Sequence, residues 1–167
     1  NMNMKNSKTT LLSGIVLIVF LMTLPGVSYS QEKIKWMSFE EAIERSEKKS
    51  KHIFIDVYTD WCGWCKRLTA SVFVKDEFKA WADENVVLLE LDFPRRKQLP
   101  AKYRQQNMNL QKAFKITGYP TIWVFDLTKN PDNGQYQINA LGKTGYAPSV
   151  SQFTGAVDQM LAKRDNS

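Results

Sequence analysis

The chain is poor in the residues that build specialised small folds, with two cysteines, one histidine, eight glycines and six prolines in 167 residues. Two cysteines are too few for a miniature fold held by several disulfides or for a zinc site made of four thiolates. The low glycine and proline content excludes collagen-like and low-complexity chains. Because hydrophobic residues make up 43% and charged residues 24% of the chain, the composition is that of an ordinary globular domain.

The N-terminal thirty residues have the pattern of a secretory signal peptide. Two lysines precede an apolar run, Leu11–Leu24, and small serines lie just before Gln31. The run has 14 residues, whereas a membrane-spanning helix needs about 20. We therefore expect residues 1–30 to be a signal peptide and residues 31–167 to form an exported domain in the bacterial periplasm. An N-terminal membrane anchor that faces the periplasm is the alternative.

The charge of the chain is only mildly basic. The full sequence carries a net charge of +6, and the first thirty residues contribute two lysines and no acids, which leaves +4 for the remainder. This balance in an exported chain favours a solvated charged surface, and we expect no nucleic-acid partner.

Segments of helical and strand-like periodicity alternate after residue 31. Predicted strands lie at 53–58, 86–91, 121–125 and 136–141. Predicted helices lie at 39–49, 65–69, 76–85 and 148–163, and a further one ends near 113–114. No linker or repeat interrupts the alternation. The pattern predicts one α/β domain with a central mixed β-sheet and helices on both faces.

A Cys-x-x-Cys pair marks the end of the first predicted strand and the start of a helix, in the segment Trp61–Lys66. Residues three apart at a helix start lie on one face, so the sulfurs of Cys62 and Cys65 can form a disulfide. The first sulfur faces the unpaired N–H groups of the helix, which stabilise a thiolate. Cys62 is therefore the predicted nucleophile and Cys65 the resolving thiol.

Other interpretations of the cysteine pair have less support. A structural disulfide that closes so short a loop stabilises a fold little, and two inert buried thiols would leave the helix-start position unexplained. A zinc site needs two further ligands, and His52 is the only histidine. Covalent haem attachment requires a histidine where Lys66 stands. We expect no metal and no cofactor.

Asp56 is the one acid inside the first predicted strand. A carboxylate in a buried strand is costly unless it is protonated, paired or hydrated. Asp56 therefore either has a function beside the cysteines or lies on the exposed face of an edge strand.

Three landmarks together resemble the thioredoxin family. They are Asp56 six residues before Cys62, the Trp-Cys-x-x-Cys-Lys segment, and the sequence Gly-Tyr-Pro-Thr at Gly118–Thr121 directly before a strand. The resemblance extends from the strand containing Asp56 through the final helix and is greatest to exported members, including the C-terminal domain of disulfide interchange proteins of the DsbD type. It implies a thioredoxin-like fold.

The resemblance also implies roles for individual residues. Pro120 is expected to be cis and to pack beside Cys62, and the backbone of Tyr119 is expected to bind an extended substrate segment. Asp56 is expected to move a proton to and from Cys65. The strand 86–91 departs from ordinary thioredoxins because Glu90 is its only charged residue and no lysine is there to pair with Asp56.

The residues around the pair refine the expected chemistry. Trp61, Gly63 and Trp64 are predicted to contact substrate, although both tryptophans could instead pack on neighbouring loops. Gly63-Trp64 lacks the histidine that oxidants of this superfamily carry between the cysteines, which weakens the case for a strong oxidant.

We expect His52 to lie on the surface. The basic segment 95–104 is predicted to be a solvated insertion, with a docking surface for an acidic partner as the alternative.

The sequence thus predicts a thiol–disulfide oxidoreductase that works as a protein-disulfide reductase. A disulfide oxidase or isomerase could use the same residues at a different potential, and a non-catalytic binding module is the alternative from another class. The expected partners are client proteins with disulfides and a membrane electron-transfer protein that supplies electrons. We expect the protein to be a monomer.

Overall fold

The computed structural model describes residues 33–163. In chain order the helices are α1 (Phe39–Lys49), α2 (Gly63–Leu68), α3 (Asp76–Asn85), α4 (Ala101–Ala113) and α5 (Val150–Leu161). The strands are β1 (His52–Tyr58), β2 (Val86–Asp92), β3 (Thr121–Lys129) and β4 (Tyr136–Thr144). A π-helical turn, Thr69–Phe73, continues α2.

The four strands form one mixed sheet in the order β2-β1-β3-β4. β1 pairs in parallel with β2 and antiparallel with β3, and β3 and β4 form an antiparallel hairpin. β1 is therefore hydrogen-bonded on both sides, and its five interior residues, 53–57, are all buried. The α/β prediction with a mixed central sheet is confirmed.

The sheet separates two hydrophobic cores. Phe54 lies on one face with residues of α2, α3 and α5, where its ring contacts the rings of Phe73, Phe78 and Phe153 at centroid distances of 5.9–6.2 Å. The neighbouring residues Ile53 and Ile55 lie in the second core, with side chains from α1 and α4. This alternation is the period of two that a strand buried on both faces requires. The expected helices on both faces are present.

Local sequence signals account for most element boundaries. Ser38 and Glu41 form the predicted capping box at the start of α1: the Ser38 hydroxyl accepts from the Glu41 N–H at 3.3 Å, and the Glu41 carboxylate accepts from the Ser38 N–H at 2.9 Å. β3 extends four residues beyond the prediction and β4 three. The apolar run of β3 ends at Phe125, whereas its backbone pairing with β4 continues to Lys129. Hydrophobic periodicity therefore could not mark the end of that ladder.

The prediction that His52 lies on the surface is wrong. His52 begins β1, and its half-buried side chain lies with Nδ1 2.6 Å from Oδ1 of Asp126. The antiparallel register explains the contact because the next pair along is Ile53 with Phe125. The pairing partner is 74 residues away in sequence, so no local pattern signals it.

The predicted signal peptide at residues 1–30 lies outside the described residues. Within 33–163, none of the helices has the length and apolar character needed to cross a membrane.

Replacing Phe54 with alanine should test the larger core. The Phe54 side chain is fully buried and contacts four aromatic rings, so Phe54→Ala should lower the free energy of unfolding by about 3–5 kcal/mol. Denaturant titration of the oxidised protein measures this loss. Met108→Ala, at an exposed position of α4, is the control and should change the free energy by less than about 0.5 kcal/mol. Equal effects of the two substitutions would contradict the assigned core.

Candidate active site

Cys62 and Cys65 form a disulfide at the start of α2, with their Cα atoms 5.3 Å apart. The chain leaves β1, turns through a bond from the Cys62 N–H to the Thr59 carbonyl, and enters the helix with Cys62 as its N-cap. The Cys62 sulfur accepts a hydrogen bond from the Cys65 N–H at 3.0 Å. This N–H is one of the otherwise unpaired donors of the first helical turn, so the helix start supports negative charge on Cys62.

The two cysteines are almost equally sheltered, with 6% of Cys62 and 5% of Cys65 exposed. Exposure therefore does not distinguish the two thiols. Their places on the helix do, since only the Cys62 sulfur lies at the N-cap and receives a backbone N–H.

Pro120 follows a cis peptide bond from Tyr119. β3 begins at the next residue, Thr121, which pairs with Val57 near the end of β1. Pro120 therefore lies at the sheet edge from which the chain turns to Cys62. The segment after β4 reaches the same place, since a Cβ on Gly145 would lie 3.6 Å from the Pro120 carbonyl oxygen.

Asp56 is buried in the sheet, with 4% of its surface exposed. It lies two residues after Phe54 and hence on the same face of β1, toward the layer that contains α2. Within the described residues its Oδ1 has no hydrogen-bond partner. The possibility that Asp56 lies exposed on an edge strand is wrong, because β1 has a neighbour on each side.

Burial, together with the nearby Glu90, raises the pKa of the Asp56 carboxyl to about 8. Desolvation is the larger cause: burial disfavours the charged form of the Asp56 carboxyl. The negative charge of Glu90 adds repulsion. The carboxyl is thus mainly protonated near neutral pH, which removes much of the cost of burying it.

Glu90 lies beside Asp56, at a position where a cation would lower the pKa of Asp56 instead of raising it. The two residues are direct partners in the parallel pairing of β1 and β2. Burial raises the pKa of Glu90 and Asp92 adds to the shift, whereas hydrogen bonding to Tyr58 and the charge of Lys97 oppose it. β2 contains no lysine that would lower the pKa of Asp56.

The tryptophans beside the disulfide are exposed but not free of contacts. Trp61 is 45% exposed, and its ring meets Tyr119 edge-to-face at 5.9 Å while the Arg95 guanidinium lies 3.7 Å from its centroid. Trp64 is 53% exposed and contacts Tyr146 at 4.9 Å. The Arg67 guanidinium lies 4.7 Å from the Trp64 centroid. Each ring thus packs on neighbouring side chains, as the second alternative expects, and keeps an exposed surface; contact of the two tryptophans with substrate stays a prediction.

The structure brings most sequence-predicted site residues to one end of the sheet. Gly63 begins α2 in open space, since a Cβ at this position would have no atom within 4 Å. Sequence reasoning did not find Arg67 or Tyr146, and it considered Arg95 only as part of the basic segment 95–104. Tyr146 lies 82 residues after Trp64, and no local spacing links them. Among the described residues no cluster of three or more His, Cys, Asp or Glu side chains is arranged to hold a metal ion.

The raised pKa of Asp56 should make stability depend on pH. The folded pKa is about 8, above the value of 3.8 for an unburied carboxyl, so the protonated group supports folding below pH 4 and this support is lost as the pH rises to 8. Relative to Asp56→Asn, the oxidised wild type should lose about 3–5 kcal/mol of unfolding free energy across that range. Chemical denaturation at several pH values measures the difference. Asp132→Asn, in the exposed turn after β3, is the control; a flat difference for Asp56→Asn would contradict the assignment.

Comparison with known proteins gives relatives of similar sequence. The chain is 33% identical over 94 residues to "Disulfide bond reductase DsbH" from Chlamydia pneumoniae, covering 56% of this chain and 57% of that protein. It is 29% identical over 113 residues to "Thiol:disulfide interchange protein DsbD" from Haemophilus influenzae, covering 64% of this chain and 17% of that protein. The chain thus spans little more than half of the first relative and a small part of the second.

Solved structures agree with the fold. A structure described as "DsbH Oxidoreductase" superposes with a TM-score of 0.66 at 28% identity, over 78% of this chain and 86% of that one. A thioredoxin from Thermus thermophilus superposes with a TM-score of 0.59 at 14% identity, over 79% and 90% of the two chains, and supports the fold alone. The thioredoxin-like domain family matches residues 39–160. The expected thioredoxin-like fold is confirmed, and the chain belongs to the thioredoxin-like family.

Proposed function

We propose that this protein is a thiol–disulfide oxidoreductase and that it works as a protein-disulfide reductase. One observation carries the proposal: a Cys62–Cys65 disulfide at a helix start shares one end of the sheet with the cis-Pro120 loop and with the buried carboxyl of Asp56. A disulfide that merely stabilised the fold would not need a protonatable carboxyl in the core beside it.

In the proposed reaction, the Cys62 thiolate attacks one sulfur of a client disulfide. A mixed disulfide forms, and the first client sulfur leaves as a thiolate. Cys65 then loses its proton and attacks the Cys62 sulfur, which forms the Cys62–Cys65 disulfide and releases the second client thiolate. The client disulfide gains two electrons and becomes two thiols after protonation, and the enzyme dithiol loses the same two electrons.

Asp56 is the proposed acid and base for this exchange. Cys65 must be deprotonated when it attacks and protonated again in the reverse direction. A carboxyl with a pKa of about 8 is close to the ordinary pKa of a thiol, so its ionised form can accept the Cys65 proton and its protonated form can return it. No residue of 33–163 forms a hydrogen bond with its Oδ1, which leaves an acceptor site for that proton.

The substrate is proposed to lie across the exposed surface next to the disulfide. Tyr119 would offer its backbone to an extended client segment in β-type pairing. Trp61, Gly63 and Trp64 would contact the segment on either side of the reacting sulfur, since Trp61 and Trp64 are half exposed and Gly63 leaves open space. Pro120 would hold the loop that positions Tyr119.

The reducing direction has two supports. Oxidants of this class stabilise their reduced dithiol form, and the Gly63-Trp64 dipeptide provides no histidine that would do so here. The relative from Chlamydia pneumoniae is named a disulfide bond reductase. An oxidase or isomerase would use the same residues at a higher potential, and a non-catalytic binding module would not turn over.

The proposed setting is the bacterial periplasm, reached with residues 1–30 as a signal peptide or membrane anchor. A reductase in an oxidising compartment must be recharged with electrons. A membrane electron-transfer protein is the proposed reductant, in keeping with the similarity to disulfide interchange proteins. The clients are proteins with disulfides, and the domain at 31–167 is proposed to act as a monomer without metal or cofactor.

Replacing one cysteine at a time should separate the two thiol roles. Cys65→Ser should trap a covalent mixed disulfide with a client such as insulin, because the resolving thiol is absent. Cys62→Ser should trap little and should reduce insulin at least about 1,000-fold more slowly than the wild type. Mass spectrometry and a turbidity assay measure the two results. Equal trapping by both variants would contradict the assigned nucleophile, and a wild type that never turns over insulin would support the binding module.

Removing the proton-accepting carboxyl should slow the resolving step. Asp56→Asn should lower the rate of insulin reduction about 10- to 100-fold and should remove the step in the pH–rate profile near pH 8. Stopped-flow measurements from pH 6 to 9 follow this step. Asp132→Asn serves as the matched control. An unchanged pH profile in Asp56→Asn would count against the role of Asp56.

A further inference from the structure

Two arginine–tryptophan stacks border the disulfide. On one side Arg95 covers Trp61, which contacts Tyr119. On the other side Arg67 covers Trp64, which contacts Tyr146. We call this surface the arginine–tryptophan rim, and its residues are Trp61, Trp64, Arg67, Arg95, Tyr119 and Tyr146.

The two sides of the rim meet the same loop. Tyr119 directly precedes the cis-Pro120, and Gly145, next to Tyr146, lies within contact range of the Pro120 carbonyl. A chain segment that crosses the disulfide beside this loop would therefore pass between the two stacks. The rim thus has one stack on the residue directly before Cys62 and one on a residue between the two cysteines.

The rim carries unbalanced positive charge. Among residues 33–163, neither Arg67 nor Arg95 forms an ion pair. The neighbouring Lys66 and Arg96 are exposed and also form none. Two acids are near the rim in sequence: Asp60, whose carboxylate accepts a hydrogen bond from the Thr59 hydroxyl at 3.4 Å, and the partly buried Asp92, three residues before Arg95.

Stacking fixes how the guanidinium groups can bind. A guanidinium whose carbon lies 3.7–4.7 Å from an indole centroid contacts the ring and keeps N–H groups for other acceptors. Those donors form a planar fork that matches a carboxylate. The indoles hold both forks in place beside the disulfide, which lowers the entropy lost when a carboxylate binds.

We propose that the rim selects disulfide-bearing protein segments that carry Asp or Glu side chains on both sides of the reacting cysteine. This inference rests on the proposed function, since it names the substrate class of the same site. Arg95 binds an acidic side chain on the Trp61 side and Arg67 binds one on the Trp64 side. The basic segment that begins at Arg95 thus does more in this proposal than stay solvated, because its first residue lies over the ring of Trp61, the residue before Cys62.

Matched peptides test the proposal without any redox step. One extended peptide has two glutamates on each side of a central serine, and the other has lysines at the same places. Binding to the oxidised protein is followed by tryptophan fluorescence. The acidic peptide should bind at least about fivefold more tightly at low salt, and the preference should shrink at high salt.

Single-residue variants locate the selectivity. Arg67→Gln and Arg95→Gln should each weaken binding of the acidic peptide about threefold and leave the lysine peptide unchanged or slightly improved. Arg45→Gln removes the same charge from the exposed side of α1 and should have no effect. Equal binding of the two peptides, no measurable binding of the acidic one, or the same loss in Arg45→Gln would overturn the proposal.

Two further results distinguish the rim from a membrane-binding surface and from the redox reaction itself. Selective binding to phosphatidylglycerol vesicles without selectivity between the peptides would overturn the inference in favour of a membrane surface. The binding assay contains no thiol, so an enzyme that fails to reduce insulin but still selects the acidic peptide would refute the proposed function and leave the charge selectivity of the rim standing. An active enzyme without selectivity would refute the rim alone.

Discussion

The site depends on the central position of β1, which pairs with β2 on one side and β3 on the other. Pairing on both sides buries every interior residue of the strand, including Asp56. It also brings the start of β3 to the end of β1, so the Tyr119–Pro120 loop lies where the chain turns to Cys62. A carboxyl with almost no solvent access and an acid as its neighbour then has a pKa of about 8. One topological constraint thus produces the position of the disulfide, the loop beside it and the protonation of the acid.

The surface next to this buried group is stabilised by different interactions, namely contacts between aromatic rings and arginines. The tryptophans remain half exposed, and each ring gains contacts from an aromatic neighbour and an arginine. Exposed apolar area of this kind marks interaction surfaces. The stacks hold positive charge beside a site whose buried side is acidic. Proton transfer and substrate selection are therefore assigned to opposite sides of the cysteine pair.

The sequence predicted the elements and the cysteine pair well because their signals are local. A capping box, alternating apolar residues and a Cys-x-x-Cys spacing each act within a few residues, and the cis-Pro120 landmark came from family resemblance. The missed features are contacts over long sequence distance. Arg95 lies 34 residues after Trp61, Tyr146 lies 82 after Trp64, and His52 meets Asp126 across the sheet. The extra length of β3 was missed because its ladder continues after the apolar pattern has ended.

The equilibrium reduction potential of the Cys62–Cys65 disulfide decides whether this cysteine pair donates electrons to its clients. Equilibration in glutathione buffers, followed by fluorescence of the neighbouring Trp61 and Trp64, gives the value. For a reductase we expect a potential near that of thioredoxin, about −270 mV. A value between about −180 and −120 mV, where isomerases and strong oxidants lie, would contradict the reductase assignment.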